Sequence, residues 1–229
     1  MPRRQRECSG GIVYHVLNRA VGRMKLFEKE SDFLAFEKVV EETWERTETR
    51  ILSYCVMPTH WHFLIWPRED GELSEVMRWL TVTHTQRWHV HYHTAGTGPL
   101  YQGRFKSFPV ESDEPFLAVA LYVERNALRA NLVERAQDWR WSSLWRRRQR
   151  DASVTRILAG WPIARPSDWT RRVNRPLTAS ELEAVRGSVR RGRPFGSEAW
   201  VQQTAKQLRL ESTLRPRGRP RKHPEKAQE

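Results

Sequence analysis

The sequence predicts an α+β fold: four or five antiparallel strands with helices packed on the sheet, followed by a basic C-terminal extension. Three observations predict it. Strand-like and helix-like segments alternate in the order β-α-β-β-α-β-α. The helical patterns each carry one apolar stripe, as surface helices on a sheet do. The most strongly β-rich region, Tyr54 to Trp66, is two apolar runs joined by Pro58-Thr59, which reads as a hairpin.

Residues 1–10 are basic and polar and read as loose. Gly11 to Asn18 form a first strand, and Asn18 to Arg23 turn away from it. Ser31 or Asp32 can cap a helix. Phe33, Phe36, Val40 and Trp44 share one of its faces. After the hairpin, Glu72 to about His91 is again helical, with Leu73, Val76, Leu80 and Trp88 near one face, and Thr94 to Pro99 is a loop. Arg104 to Val110 reads as a strand with basic and aromatic residues interleaved. Ser112 and Asp113 cap a helix from Glu114 to Leu128, with Pro115 tolerated in its first turn. Its apolar stripe is Phe116, Leu117, Ala120, Leu121, Ala127 and Leu128.

The composition divides the chain at about residue 150. Residues 1–150 read as a catalytic domain closed by a short helix over 139–145. Residues 151–229 read as an extension with helical patterns over 179–190 and 198–208 and an Arg/Pro-rich end that cannot form a core and reads as disordered. The net charge is +13, and it is uneven: from Asp151 onward, 17 Lys and Arg face 8 Asp and Glu, a net of +9. Such a surface attracts polyanions, nucleic acid first. No run approaches the roughly 18 apolar residues of a membrane span. The first residues, Met-Pro-Arg-Arg-Gln-Arg, are no apolar signal segment, and the two cysteines, Cys8 and Cys55, offer neither a disulfide framework nor a thiolate zinc site. A cytoplasmic, nucleoid-associated protein is expected.

His60, His62 and Leu64 lie on one face of their strand, and Trp61, Phe63 and Ile65 on the other. Two imidazoles two residues apart can share one metal ion; two half-buried histidines that only hydrogen-bond are the alternative. On the helix after Asp113, Tyr122 and Asn126 stand one turn apart, with Arg125 and Arg129 nearby, off the most apolar stripe. A packing tyrosine is one reading. The other is a nucleophile toward a phosphodiester, with a divalent ion on the imidazoles and an amide oxygen drawing charge from the phosphate.

Met57-Pro58-Thr59-His60-Trp61-His62 resembles the HUH motif of single-tyrosine transposases, and Tyr122 to Ala130 resembles their tyrosine helix. Three further stretches, Tyr14 to Arg19, Gly98 to Ser107 and Gly192 to Trp200, narrow the resemblance to the REP-associated tyrosine transposases. The resemblance spans about residues 11–222. It implies an RRM/ferredoxin-like sheet backed by helices. It implies Mg²⁺ or Mn²⁺ on His60, His62 and Asn126, where some relatives carry Gln. Tyr122 would attack DNA, leaving a 5′-phosphotyrosine and a free 3′-hydroxyl. The substrate would be single-stranded DNA folded as REP hairpins, with Asn18, Arg19 and Arg23 helping to read a tetranucleotide at the hairpin foot. A monomer is implied, with a dimer as the alternative.

Other residues compete for these roles. His89-Val90-His91 and His91-Tyr92-His93 repeat the His-x-His spacing, but at a helix end, where such residues point apart. His84 reads as a surface residue. Tyr14 and Tyr54 read as packing residues, and Tyr101 as a base-stacking or loop-anchoring residue. Arg104, Phe105, Lys106 and Phe108 alternate charge and ring as a single-strand groove does, the alternative being a solvated edge strand. Arg193, Arg217 and Arg219 belong to two Arg-Gly-Arg-Pro units that resemble AT-hook cores; an unspecific basic tail is the alternative. A non-cleaving hairpin DNA- or RNA-binding protein of the same fold is the second reading of the whole chain, and a zinc hydrolase using His60 and His62 the third.

Overall fold

A computed structural model describes residues 8–215. The elements in chain order are β1 (Val13–Arg19), α1 (Glu30–Thr47), β2 (Arg50–Met57), β3 (His60–Trp66), α2 (Glu72–His91), β4 (Lys106–Val110), α3 (Glu114–Glu124), α4 (Asn126–Arg129), α5 (Ser143–Arg146), α6 (Ala152–Thr155), α7 (Trp169–Asn174), α8 (Ala179–Arg191) and α9 (Glu198–Gln207). The four strands form one sheet in the order β2-β3-β1-β4, antiparallel throughout. β1 and β2 are joined across α1 with β3 inserted between them, the split βαβ arrangement of ferredoxin-like folds. The predicted α+β class is therefore the observed one.

Side-chain alternation divides the sheet into two apolar faces. Tyr14, Val16, Tyr54, Trp61, Phe63 and Ile65 pack against Phe33, Phe36 and Val40 of α1 and Leu73, Val76 and Leu80 of α2. Val13, Leu52, Leu64, Phe108 and Val110 pack against Phe116, Leu117, Ala120 and Val123 of α3. The histidines of β3 alternate with Trp61 and Phe63, so they belong to the α3 face.

Several boundaries differ from the sequence expectation. Helix α1 begins at Glu30 rather than after Ser31 or Asp32. Asp32 instead acts from inside the first turn, its Oδ2 accepting from the Glu28 and Lys29 amides at 2.9 and 3.2 Å. Residues 8–10 are packed rather than loose: Cys8 is buried, and the Gly10 amide donates to Asp70 at 2.8 Å. A Cβ on Gly10 would meet the Arg68 carbonyl oxygen at 2.3 Å, so the chain passes closer here than any other residue allows. Strand β4 begins at Lys106, which leaves Arg104 and Phe105 in the preceding loop. The helix expected over 114–128 is divided at Arg125 into α3 and α4.

His84 is buried rather than exposed. It follows Leu80 by four residues and so continues the core stripe of α2. Its Nδ1 lies 2.6 Å from the Tyr101 hydroxyl, and its ring stacks on Phe27.

Residues after 150 return to the sheet. The Ala159 amide donates to the Ile51 carbonyl beside β2, and Phe195 exchanges backbone hydrogen bonds with Pro109 and Glu111 beside β4. Both sheet edges thus carry backbone partners, which leaves fewer of the unpaired strand groups that favour aggregation. The extension also reaches the helix that bears Tyr122. Glu124 is fully buried. Its Oε1 accepts from Ser143 Oγ at 2.5 Å and Ser53 Oγ at 3.2 Å, and its Oε2 accepts from Trp169 Nε1 at 2.7 Å.

Two predictions follow from these buried polar groups. Trp169→Phe keeps most of the ring but removes a donor to a buried carboxylate, so denaturant unfolding should show a loss of about 1–3 kcal/mol. Burial lowers the His84 pKa from the usual 6.5 to about 3. The folded protein therefore keeps this ring neutral while the unfolded chain protonates it. The stability is present above pH 6.5 and is lost as the pH falls toward 3. At pH 5 His84 should contribute a slope of about 1.4 kcal/mol per pH unit, and His84→Gln should show a correspondingly shallower loss in urea titrations.

Candidate functional site

The register of β1 against β3 decides which side chains meet on the α3 face. Arg19 pairs with His60, and Leu17 with His62. The same face of β1 carries His15, whose Nε2 lies 2.9 Å from His62 Nδ1. The His15 ring is fully buried and packs on Phe108, with centroids 4.8 Å apart. His60 Nδ1 is engaged by Thr59 Oγ1 at 2.9 Å. Among the described residues, hydrogen bonds therefore engage only the Nδ1 atom of each β3 imidazole, and both Nε2 atoms stay available.

The two rings stand 5.0 Å apart at 81°. Tyr122 comes down on them from α3, its ring 5.7 Å from His62 and edge-on. The Arg129 guanidinium lies over the Tyr122 ring at 4.8 Å and donates through Nη2 to Asn126 Oδ1 at 2.6 Å. His60, His62, Tyr122, Asn126 and Arg129 are thus gathered in one place. Tyr122 is buried in the α3 cluster rather than standing off it. Tyr14 and Tyr54 are packing residues, as expected.

The imidazoles are held neutral. Burial pushes the His60 pKa down to about 4, helped by the Arg19 and Arg129 charges. Burial also pushes His62 well below the usual value, with His60, His15 and the two arginines adding to the effect. His15 is lowered to about 3 by burial alone.

The donors present can be set against the needs of a divalent ion. Neutral imidazoles with free Nε2 atoms and Nδ1 atoms already oriented are what a metal ligand pair requires. Asn126 fits on one condition. Its Oδ1 already accepts from Arg129, while its buried Nδ2 has no partner among the described residues. The oxygen has a second lone pair, so Arg129 must share it or turn away. No cluster of three or more His, Cys, Asp or Glu side chains placed to hold a metal occurs among the described residues.

The other expected contacts separate into two groups. Arg19, Arg23, Arg104 and Lys106 are exposed and available to a polyanion. Tyr101 and Phe105 are not, and the base-stacking expectation for them is corrected. The Tyr101 hydroxyl is buried between Trp61 Nε1 at 3.0 Å and His84, and Phe105 is in the core. Residue 101 anchors its loop because its partners come from β3 and α2. Asn18 is also buried, its Nδ2 donating to the Gly103 carbonyl at 3.2 Å, so it ties that loop to β1. Arg125 is half-buried and donates to the Val173 carbonyl at 2.7 Å, fastening the end of α3 to α7. Arg193 is half-exposed, with its Nη2 3.4 Å from Glu198. Arg217 and Arg219 lie outside the described residues. The decoy histidines end α2, with His91 Nε2 3.3 Å from Lys29 Nζ and His89 bonded to Thr94. His15 was missed by the sequence reading; its signal is a position on the same strand face as Leu17, which acquires meaning only when β1 is paired with β3.

No helix among the described residues is long and apolar enough to cross a membrane. A search of curated proteins returned no match. Among solved structures, the fold is similar to that of a REP-associated tyrosine transposase bound to a REP hairpin, with a TM-score of 0.51 and 17% identity over 78% of this chain and 96% of that one. A candidate transposase from Deinococcus radiodurans gives a TM-score of 0.38 and 13% identity over 48% of this chain and 87% of that one. The family profile described as IS200-like transposase matches residues 8–126, which spans the whole sheet, the imidazole pair and Tyr122 through Asn126. On that match, the chain belongs to the IS200-like transposase family.

Proposed function

We propose that this chain is a metal-dependent single-stranded DNA endonuclease and strand transferase that acts on REP-type hairpins through a 5′-phosphotyrosine. The observation that carries the proposal is the meeting of Tyr122 with His60 and His62 on one face of the sheet, in a chain of this family. The hairpin partner is proposed from the similar fold that binds a REP hairpin.

In this reading Tyr122 Oη bonds to the scissile phosphorus and the P–O3′ bond breaks. The tyrosine proton passes to solvent, and the departing oxygen takes up a proton to become a 3′-hydroxyl. Bond energy is conserved in the phosphotyrosine, so the reverse attack by a 3′-hydroxyl rejoins strands without ATP. Mg²⁺ or Mn²⁺ held by His60, His62 and Asn126 would draw negative charge from the phosphate. His15 and Thr59 hold the imidazoles in orientation. Arg129, already over the Tyr122 ring, is placed to pair with phosphate oxygens once it releases Asn126. Arg19, Arg23, Arg104 and Lys106 would contact the DNA backbone. The domain at residues 1–150 carries the chemistry, the described part of the extension, residues 151–215, braces it, and the chain acts as a monomer.

One observation favours a second reading, a hairpin-binding protein that does not cut: the Arg129 cation occupies the very oxygen that a metal would need. Tyr122→Phe separates the two. Wild-type protein with Mn²⁺ should give a denaturant-resistant protein–DNA adduct on a hairpin with its single-stranded foot, and EDTA should abolish it. The variant should give none while binding the hairpin nearly as well. Persistence of cleavage in the variant would exclude Tyr122 as nucleophile, and binding without any adduct in the wild type would favour the second reading.

A further inference from the structure

His15 is a polar residue in an apolar row. Val13, His15 and Leu17 share the α3 face of β1, and all three are buried. Val13 and Leu17 bring no polar side-chain atom to that face, whereas His15 brings two ring nitrogens and is 0% exposed. Its Nδ1 has no partner among the described residues, and its Nε2 lies 2.9 Å from His62 Nδ1. An aliphatic residue here would be buried as well and would leave no ring nitrogen unpaired. What His15 adds over its apolar neighbours is therefore the bond to His62.

That bond holds a single proton, and either ring can own it. A neutral imidazole has one N–H. If His15 Nε2 donates, the proton of His62 sits on its own Nε2, and no lone pair is left there for a metal. If His62 Nδ1 donates, His62 Nε2 is bare, and His15 accepts through Nε2 while its own proton sits on Nδ1. Only the second arrangement is compatible with His62 as a ligand through Nε2. The bond also fixes the orientation of the ring, since a half-turn about Cβ–Cγ would present a C–H to His15 in place of Nδ1.

The two imidazoles of β3 differ in this respect. His60 Nδ1 is engaged by the Thr59 hydroxyl at 2.9 Å, and a hydroxyl rotates to donate or to accept. His15 has no such freedom. It lies diagonal to His62, whose direct partner on β1 is Leu17. Its ring is wedged between Phe108, with centroids 4.8 Å apart, and Tyr122, edge-on at 6.2 Å. The partner of His62 is thus held in place by the same packing that forms the α3 face.

We propose that His15 is the positioning residue that selects the metal-binding tautomer of His62: its Nε2 accepts from His62 Nδ1–H and so leaves His62 Nε2 bare for a divalent ion. The inference deepens the metal-dependent reading above and rests on its assignment of His62 as a ligand. His15 acts through His62 and contacts neither the ion nor the DNA. Such partners of metal-bound histidines set ring orientation and ligand basicity, and their loss weakens metal binding even where every ligand is kept.

Two measurements on the full chain test it, and neither reads cleavage. The first is a Mn²⁺ titration followed by the spin resonance of the free ion. His15→Leu removes the acceptor and should weaken Mn²⁺ binding about 10- to 100-fold. His15→Gln, whose amide oxygen can accept from the same nitrogen, should recover most of that loss. The second is the long-range proton–nitrogen spectrum of the wild type with saturating Mg²⁺, in which His15 and His62 should both be Nδ1–H tautomers. This spectrum decides the matter even where a variant does not fold. Unchanged Mn²⁺ affinity in His15→Leu, or equal weakening by Leu and Gln, would overturn the proposal and leave His15 a packing residue. So would an Nε2–H tautomer of His15 in the Mg²⁺-loaded protein. Failure of the wild type to bind Mn²⁺ at all is a separate outcome: it contradicts the metal-dependent reading itself, and this proposal with it.

Discussion

The register between β1 and β3 is the constraint on which the rest of the site depends. Side chains alternate along a strand, so a slip of one residue would turn His60 and His62 into the core beneath α1 and α2 and bring Trp61 and Phe63 to the Tyr122 side. The large rings of β3 oppose that slip, because Trp61 and Phe63 are packed into the α1–α2 face and would have to leave it. The hydrogen bond between His15 and His62 fixes the same register from within the site. One packing decision, apolar rings to one side and imidazoles to the other, therefore builds the core and the candidate site together.

The polar interior of this site has a cost in stability. Three imidazoles are held neutral by burial, His15 Nδ1 and Asn126 Nδ2 lack partners among the described residues, and Arg129 sits among the group with its charge. Buried polar groups of this kind persist when the surroundings hold them and a ligand completes them. The surroundings here include the extension. Trp169 grips Glu124, two residues beyond Tyr122, and Arg125 grips α7. The region after residue 150 thus acts directly on the helix that bears Tyr122, beyond its contribution of basic charge.

Much of the fold was legible in the sequence because it is locally written. The stripes of α1 and α2, the Pro58-Thr59 turn and the alternation of β3 are properties of short windows, and all were found by spacing alone. The pair His60 and His62, and Tyr122 one turn from Asn126, were legible for the same reason. What was not legible depends on contacts distant in sequence. His15 reveals its role only against β3. Tyr101 resembled a loop residue until β3 and α2 closed over its hydroxyl, and His84 resembled a surface polar residue until Tyr101 became its partner. Phe105 sat in a basic-aromatic alternation that promised a strand, but the strand begins one residue later and the ring turns inward.

The proposed chemistry depends most directly on the identity of the residue that attacks DNA. Mapping the peptide that carries the covalently attached 5′ end, after reaction of the wild-type chain with a REP-type hairpin in Mn²⁺, tests it. Attachment at Tyr122 is the predicted result. Attachment at any other tyrosine, or cleavage that leaves no attached DNA, would contradict it, because in either case the meeting of Tyr122 with the two β3 histidines would not be where the bond is broken.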